Sequence, residues 1–189
     1  MRQYLDAKRQ HRDAIVLFRM GDFYEMFYED ALVAARALEL TLTSRSKDAG
    51  GNGIPMCGVP FHAMDGYLAK LVKKGFRVAI CEQVEDPRKA KGIVKREVVR
   101  VVSPGTLTDA SYLNAREPAF IMSIVGVGAG LHPRPAGGDE TLGVALLDLS
   151  TGEFTTAEYH GDDGLQALAD EIATLRPREI VVPTESDVA

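Results

Sequence analysis

The pentapeptide Gly21-Asp22-Phe23-Tyr24-Glu25 constrains this chain most, because it follows the apolar run Ile15-Val16-Leu17-Phe18 across a Met20-Gly21 break. The two stretches read as consecutive extended segments. In an extended segment residues i and i+2 project to the same side. Phe23 and Glu25 therefore share a face, and Tyr24 turns to the other. A bulky ring beside a hydrogen-bond acceptor suits a protein that levers a base step open and inspects one base edge. Taken alone, the pentapeptide fits an ordinary strand-core Phe with a solvated Glu neighbour more readily.

Strands and helices intermix around it. Residues 3–11 read as a short polar helix, 14–19 as a strand and 22–27 as a second extended piece. Tyr28, Ala31, Leu32, Ala35 and Leu38 recur at helical spacing, and Glu29-Asp30 suit a helix N-terminus. Leu40-Thr41-Leu42-Thr43 alternates as a strand, and residues 47–53 form a loop. After Pro60, the residues Met64, Tyr67, Leu68, Leu71 and Val72 make one apolar stripe that Gly75 ends. Phe76, Val78 and Ile80 alternate in a strand. Residues 93–102 form a long one, its apolar far end expected to be buried on both faces.

Further on come strands at 119–127, 142–149 and 153–159, the last two joined through Ser150-Thr151-Gly152. Asp162 or Asp163 is the expected cap of a helix carrying Leu165, Leu168, Ala169, Ile172 and Leu175. Arg176-Pro177 ends that helix, and a strand follows at 179–182. The predicted fold class is α/β, of mixed α+β type. An N-terminal mixed β-sheet flanked by helices spans 1–108, a linker 109–117 and a second unit 118–189.

Where the charge sits matters more than the net −5. Residues 70–100 carry 10 basic against 4 acidic side chains, +6, whereas 101–189 carry 4 against 14, −10. A phosphate backbone would attract the first stretch and repel the second, so two domains with different partners are expected. No apolar run approaches the ~18 residues that span a bilayer, and no secretory signal opens the chain. Cys57 and Cys81 lie in apolar surroundings without CxxC spacing and read as reduced core thiols, which points to the cytoplasm. His11, His62, His132 and His160 are scattered without metal-ligand spacing.

Two features imitate catalytic or cofactor sites. Gly126-Val127-Gly128-Ala129-Gly130 follows a strand, yet Leu131-His132-Pro133-Arg134-Pro135 cannot open the helix that a dinucleotide needs. Asp148 has only Glu153, Asp170 and Glu171 near it in sequence, at no metal-ligand spacing, so it reads as a turn residue beside Ser150-Thr151-Gly152.

The stretch Phe18-Arg19-Met20-Gly21-Asp22-Phe23-Tyr24-Glu25-Met26-Phe27 resembles the mismatch-recognition segment of the MutS family of DNA mismatch repair proteins. Three further blocks are similar to that family in the same order. They are Ile54-Pro55-Met56-Cys57-Gly58-Val59-Pro60-Phe61-His62-Ala63, Ala79-Ile80-Cys81-Glu82-Gln83-Val84-Glu85-Asp86-Pro87 and 94–106.

The resemblance implies that 1–108 recognises double-stranded DNA with a mispaired or unpaired base. Phe23 would enter the minor groove and stack on that base. Glu25 would accept a hydrogen bond from it, or donate one if protonated. Lys74, Lys95 and Arg96 are the candidate phosphate contacts. The resemblance also implies that 118–189 begins an RNase H-like connector domain, through which partners such as MutL dock. ATP and Mg binding, ATPase activity and dimerisation belong to further parts of such proteins, and no GxxxxGK(S/T) loop occurs here. This chain is thus expected to be a monomeric, cofactor-free DNA-binding piece rather than an enzyme. The alternative is a protein–protein interaction module with no DNA binding of its own.

Overall fold

In a computed structural model that describes residues 1–44, 47, 50–85, 92–106, 118–127 and 141–183, the chain forms two units, Met1–Leu107 and Thr108–Ala189. The first contains α1 (Arg2–Gln10), β1 (Ala14–Met20), β2 (Phe23–Phe27), α2 (Tyr28–Leu38) and β3 (Met56–Pro60). A 3-10 turn (Phe61–Ala63) follows, then α3 (Met64–Lys73), β4 (Arg77–Gln83) and β5 (Arg96–Val102). The strands lie in the order β3-β2-β1-β4-β5, parallel between β1 and β4 and antiparallel elsewhere.

The central parallel pair explains the continuous apolar runs. Ala14 to Phe18 and Val78 to Cys81 are at most 5% exposed, as expected of strands covered on both faces. Tyr4 and Ala7 of α1 pack on one face with Val16, Phe18, Phe27, Ala79 and Cys81. By strand alternation Met26 and Cys57 face the other side, where the Cys57 thiol lies 3.5 Å from the Ala31 carbonyl of α2. Burial raises both cysteine thiols to about 11, so neither is a thiolate at neutral pH.

Asp30 is more than a helix-front charge. β2 gives way to α2 at Tyr28, so it covers only the Phe18–Met20 end of β1. Asp30, 4% exposed, reaches the uncovered part. One carboxylate oxygen accepts from the Val16 amide (3.0 Å) and the Tyr4 hydroxyl (2.7 Å), and the other from Lys8 Nζ (2.7 Å). Tyr4 also donates to the Phe27 carbonyl at 2.9 Å. Its phenol is pushed far above its usual range, first by burial and then by Asp30.

Three local expectations need correction. Leu40–Thr43 makes no strand: only Thr43 bridges to Met56, and Leu42 stays 44% exposed, so the alternation buries nothing. β5 starts at Arg96 rather than at 93, and only its last residues are covered: Val102 is fully buried and Val101 half-buried on the other face, whereas Val99 and Arg100 are exposed. The register slips between Ile80 and Cys81, leaving Val99 as the extra residue, 55% exposed. In the second unit α4 (Gly161–Leu175) is preceded by His160 at the cap position. Asp162 and Asp163 fall in the first turn and favour the helix through its dipole.

That second unit holds β6 (Phe120–Val127), β7 (Thr141–Asp148), β8 (Phe154–His160), α4 and β9 (Glu179–Val181) in the strand order β8-β7-β6-β9. Three antiparallel strands, a helix and a strand parallel to β6 follow the expected order. Leu168, Ile172 and Leu175 of α4 pack on Met122, Val144 and Tyr159. The glycine-rich candidate at 126–130 ends β6 at Val127, and its remainder lies outside the described residues, as does the 109–117 linker.

Asp148 behaves as a turn residue. Its Oδ1 accepts from the Ala119 amide (3.1 Å), the Ser150 amide (2.9 Å) and the Ser150 hydroxyl (2.7 Å). These bonds, that of Ala119 first, hold its carboxyl below the ordinary 3.8. A depressed carboxylate stabilises the fold above its unfolded pKa and loses that contribution as pH falls through the lower folded value. Asp148→Asn should therefore flatten the acid-side loss of protection below pH ~4 in β6–β8 amide exchange. An unchanged acid-side loss would show that Asp148 does not set it.

Candidate nucleic-acid interface

β1 and β2 meet in a two-residue turn, Gly21-Asp22, with Met20 opposite Phe23. Gly21 has φ +60 while Asp22 stays at negative φ, the pattern of a type II′ hairpin, which requires glycine first. Register then decides each side chain's fate. β2 reads exposed at Phe23 and buried from Tyr24 to Phe27. Phe23 is 48% exposed, whereas Phe18 and Phe27 on the same face are 4% and 6%. Phe23 is therefore not strand core. Met20 (41%) beside it and Phe61 (47%) beyond Pro60 are exposed too, and no periodicity in the sequence marks either.

Glu25 shares Phe23's face, as the spacing requires, but is recessed at 7% exposed rather than solvated. Its cross-strand neighbours are Phe18 and Gly58. A Cβ at Gly58 would come 3.3 Å from the Tyr24 carbonyl and 3.5 Å from Glu25 Cγ. Glycine there spares the Tyr24 carbonyl that close approach, while the Glu25 side chain would meet a Cβ only at ordinary contact distance.

Tyr24, fully buried on the opposite face, donates its hydroxyl to Glu82 of β4. Burial, then that carboxylate, raises its phenol well above the usual range. The Phe61 ring stacks on Tyr24 at 6.0 Å, and the Arg19 guanidinium lies 3.5 Å from the Phe61 ring centre.

The three candidate phosphate contacts separate. β1 and β4 run parallel with Phe18 opposite Cys81, and Arg96 sits opposite Gln83, which puts Lys95 and Arg96 at the hairpin end of the sheet. Lys74 precedes β4 and lies at the other end, a strand length of ~20 Å away. Arg96 is committed to the fold. Its Nε donates to the Arg19 carbonyl (2.6 Å) and its Nη1 to that of Val94 (2.9 Å), with Phe18 5.4 Å below. Lys95 is exposed and pairs with Glu97 at 2.5 Å, a contact that raises its pKa. Such exposed pairs are weak and exchange easily for another anion. Arg88, Lys89 and Lys91 lie outside the described residues.

Residues 1–111 match the family described as MutS domain I, and 119–188 match MutS domain II. Three relatives carry the name DNA mismatch repair protein MutS. The protein of Methanococcoides burtonii is 50% identical over 96% of this chain, that of Pelotomaculum thermopropionicum 49% over 97%, and that of Desulforamulus reducens 51% over 96%. The chain spans only 19–20% of the length of these relatives.

Proposed function

Because this chain belongs to the MutS family, we propose that its first unit binds duplex DNA at a mispaired or unpaired base, in DNA mismatch repair. One observation carries the reading: Phe23 is half exposed at the tip of a hairpin whose other β2 residues are buried. A ring held out this way serves nothing in the core. Phe23 is the wedge and Glu25 the acceptor behind it.

Finding a defect within a uniform duplex requires reading deformability rather than sequence. Unstacking a base step costs a few kcal/mol and least where pairing already fails. Stacking an aromatic ring on the freed base returns ~1–3 kcal/mol whatever the base, which fits a site that must accept many mismatches. Glu25 adds a base hydrogen bond in that complex, while its charge opposes close approach to an intact duplex. Glu25→Ala should leave matched-duplex binding unchanged or tighter and weaken the G·T complex by ~1–3 kcal/mol. Equal weakening of both duplexes would make the residue structural.

Lys95 holds phosphate at the wedge end of the sheet. Lys95→Glu should weaken matched and mismatched binding alike and flatten the salt dependence. Lys74→Glu, at the far end, should do so less. A loss confined to mismatched DNA would mean that Lys95 reads the lesion.

The acidic second unit is repelled by phosphate, and we assign it to contacts with repair partners such as MutL. No phosphate-cradling GxxxxGK(S/T) loop occurs in this sequence to hold the family's ATP and Mg.

A further inference from the structure

We propose that Arg19 is a positioning residue for the wedge, fixing the Gly21-Asp22 turn from the face opposite Phe23. The inference rests on the reading of Phe23 as the wedge. A ring that must open a base step has to resist being pushed back, and a two-residue turn cannot do this alone. Both turn carbonyls are held. Arg19 Nε donates to that of Gly21, and the Phe61 amide donates to that of Asp22 at 2.8 Å.

The two donors belong to one assembly, since the guanidinium lies 3.5 Å from the Phe61 ring centre and 5.4 Å from that of Tyr24. Tyr24 is in turn tied to Glu82 of β4, and the Arg19 carbonyl to Arg96 of β5. The turn is thus braced against β4 through Tyr24 on the face opposite Phe23, and against β5 through Arg96, whose guanidinium lies over Phe18 on the wedge face. Arg19 has no ion pair among the described residues, and its Nη1 is buried without an acceptor. The ring stack, the turn carbonyl and the nearby Tyr24 hydroxyl orient it, with no salt bridge among the described residues. Lysine keeps the charge but neither the planar stack nor the Nε donor.

The test uses this chain with a G·T duplex carrying 2-aminopurine beside the mismatch, and its matched parent. Wild type and Phe23→Ala come first: enhanced fluorescence in the former and none in the latter establishes the wedge. Arg19→Lys and Phe61→Leu should then each cut the mismatch-to-match affinity ratio by about tenfold and reduce the fluorescence of the saturated complex. Matched-duplex affinity should hold. The double variant should lose little more than either single one, as parts of one clamp do. Unchanged fluorescence at saturation in a folded Arg19→Lys protein, whatever its melting temperature, would overturn the proposal. Absence of any enhancement in wild type would instead overturn the wedge itself.

Discussion

Replacing Phe23 with alanine removes the preference for a mismatched duplex and leaves the first unit folded. The stack on the displaced base is worth ~1–3 kcal/mol, so affinity for G·T DNA should fall about 5- to 150-fold while matched DNA binds as before. Stability is the control that separates wedge from core. A buried Phe→Ala costs ~3–5 kcal/mol, and Phe18→Ala or Phe27→Ala should show that loss. Phe23, 48% exposed, should lose far less. A melting-temperature drop at Phe23 equal to that at Phe18 would place the ring in the core and end the wedge account.

Asp30→Ala should cost the first unit ~3–5 kcal/mol, the range for removing one partner of a buried charged pair. The carboxylate gathers the Tyr4 hydroxyl, Lys8 Nζ and the Val16 amide, and alanine leaves all three without it. Lys8 is only partly buried and recovers some solvation, whereas the Val16 amide is enclosed. Tyr4→Phe removes one donor to that carboxylate and should cost less, ~1.5–3 kcal/mol. Urea unfolding of the two variants measures both values. A loss below ~1 kcal/mol for Asp30→Ala would show that water replaces the carboxylate.

Register and periodicity make the hairpin, the central strands and the amphipathic helices legible from the residues alone. Phe23 and Glu25 have to share a face because strand alternation is a local rule. Their unequal exposure is not legible, since it depends on what covers each end of the sheet. The same holds for Asp30, whose three partners come from α1 and β1, and for Arg96, which gives two of its five donors to the carbonyls of Arg19 and Val94. Non-local hydrogen bonds leave no periodic trace. Leu40–Thr43 shows the converse failure, a correct alternation with no strand among the described residues to pair along its length. Arg19 and Phe61 carry one local signal: each lies within two residues of a break, at Gly21 and Pro60. Their contact across the sheet end carries none.

Equilibrium binding of the chain to a G·T duplex and to its G·C parent, across a salt series, separates the uncharged stack of Phe23 from the phosphate contacts. Both dissociation constants should rise in parallel with salt, because the phosphate contacts are common to the two complexes. The G·T complex should stay tighter throughout, because the stacked ring is uncharged and salt does not screen it. A ratio of one at every salt concentration, with both duplexes bound, would contradict the account.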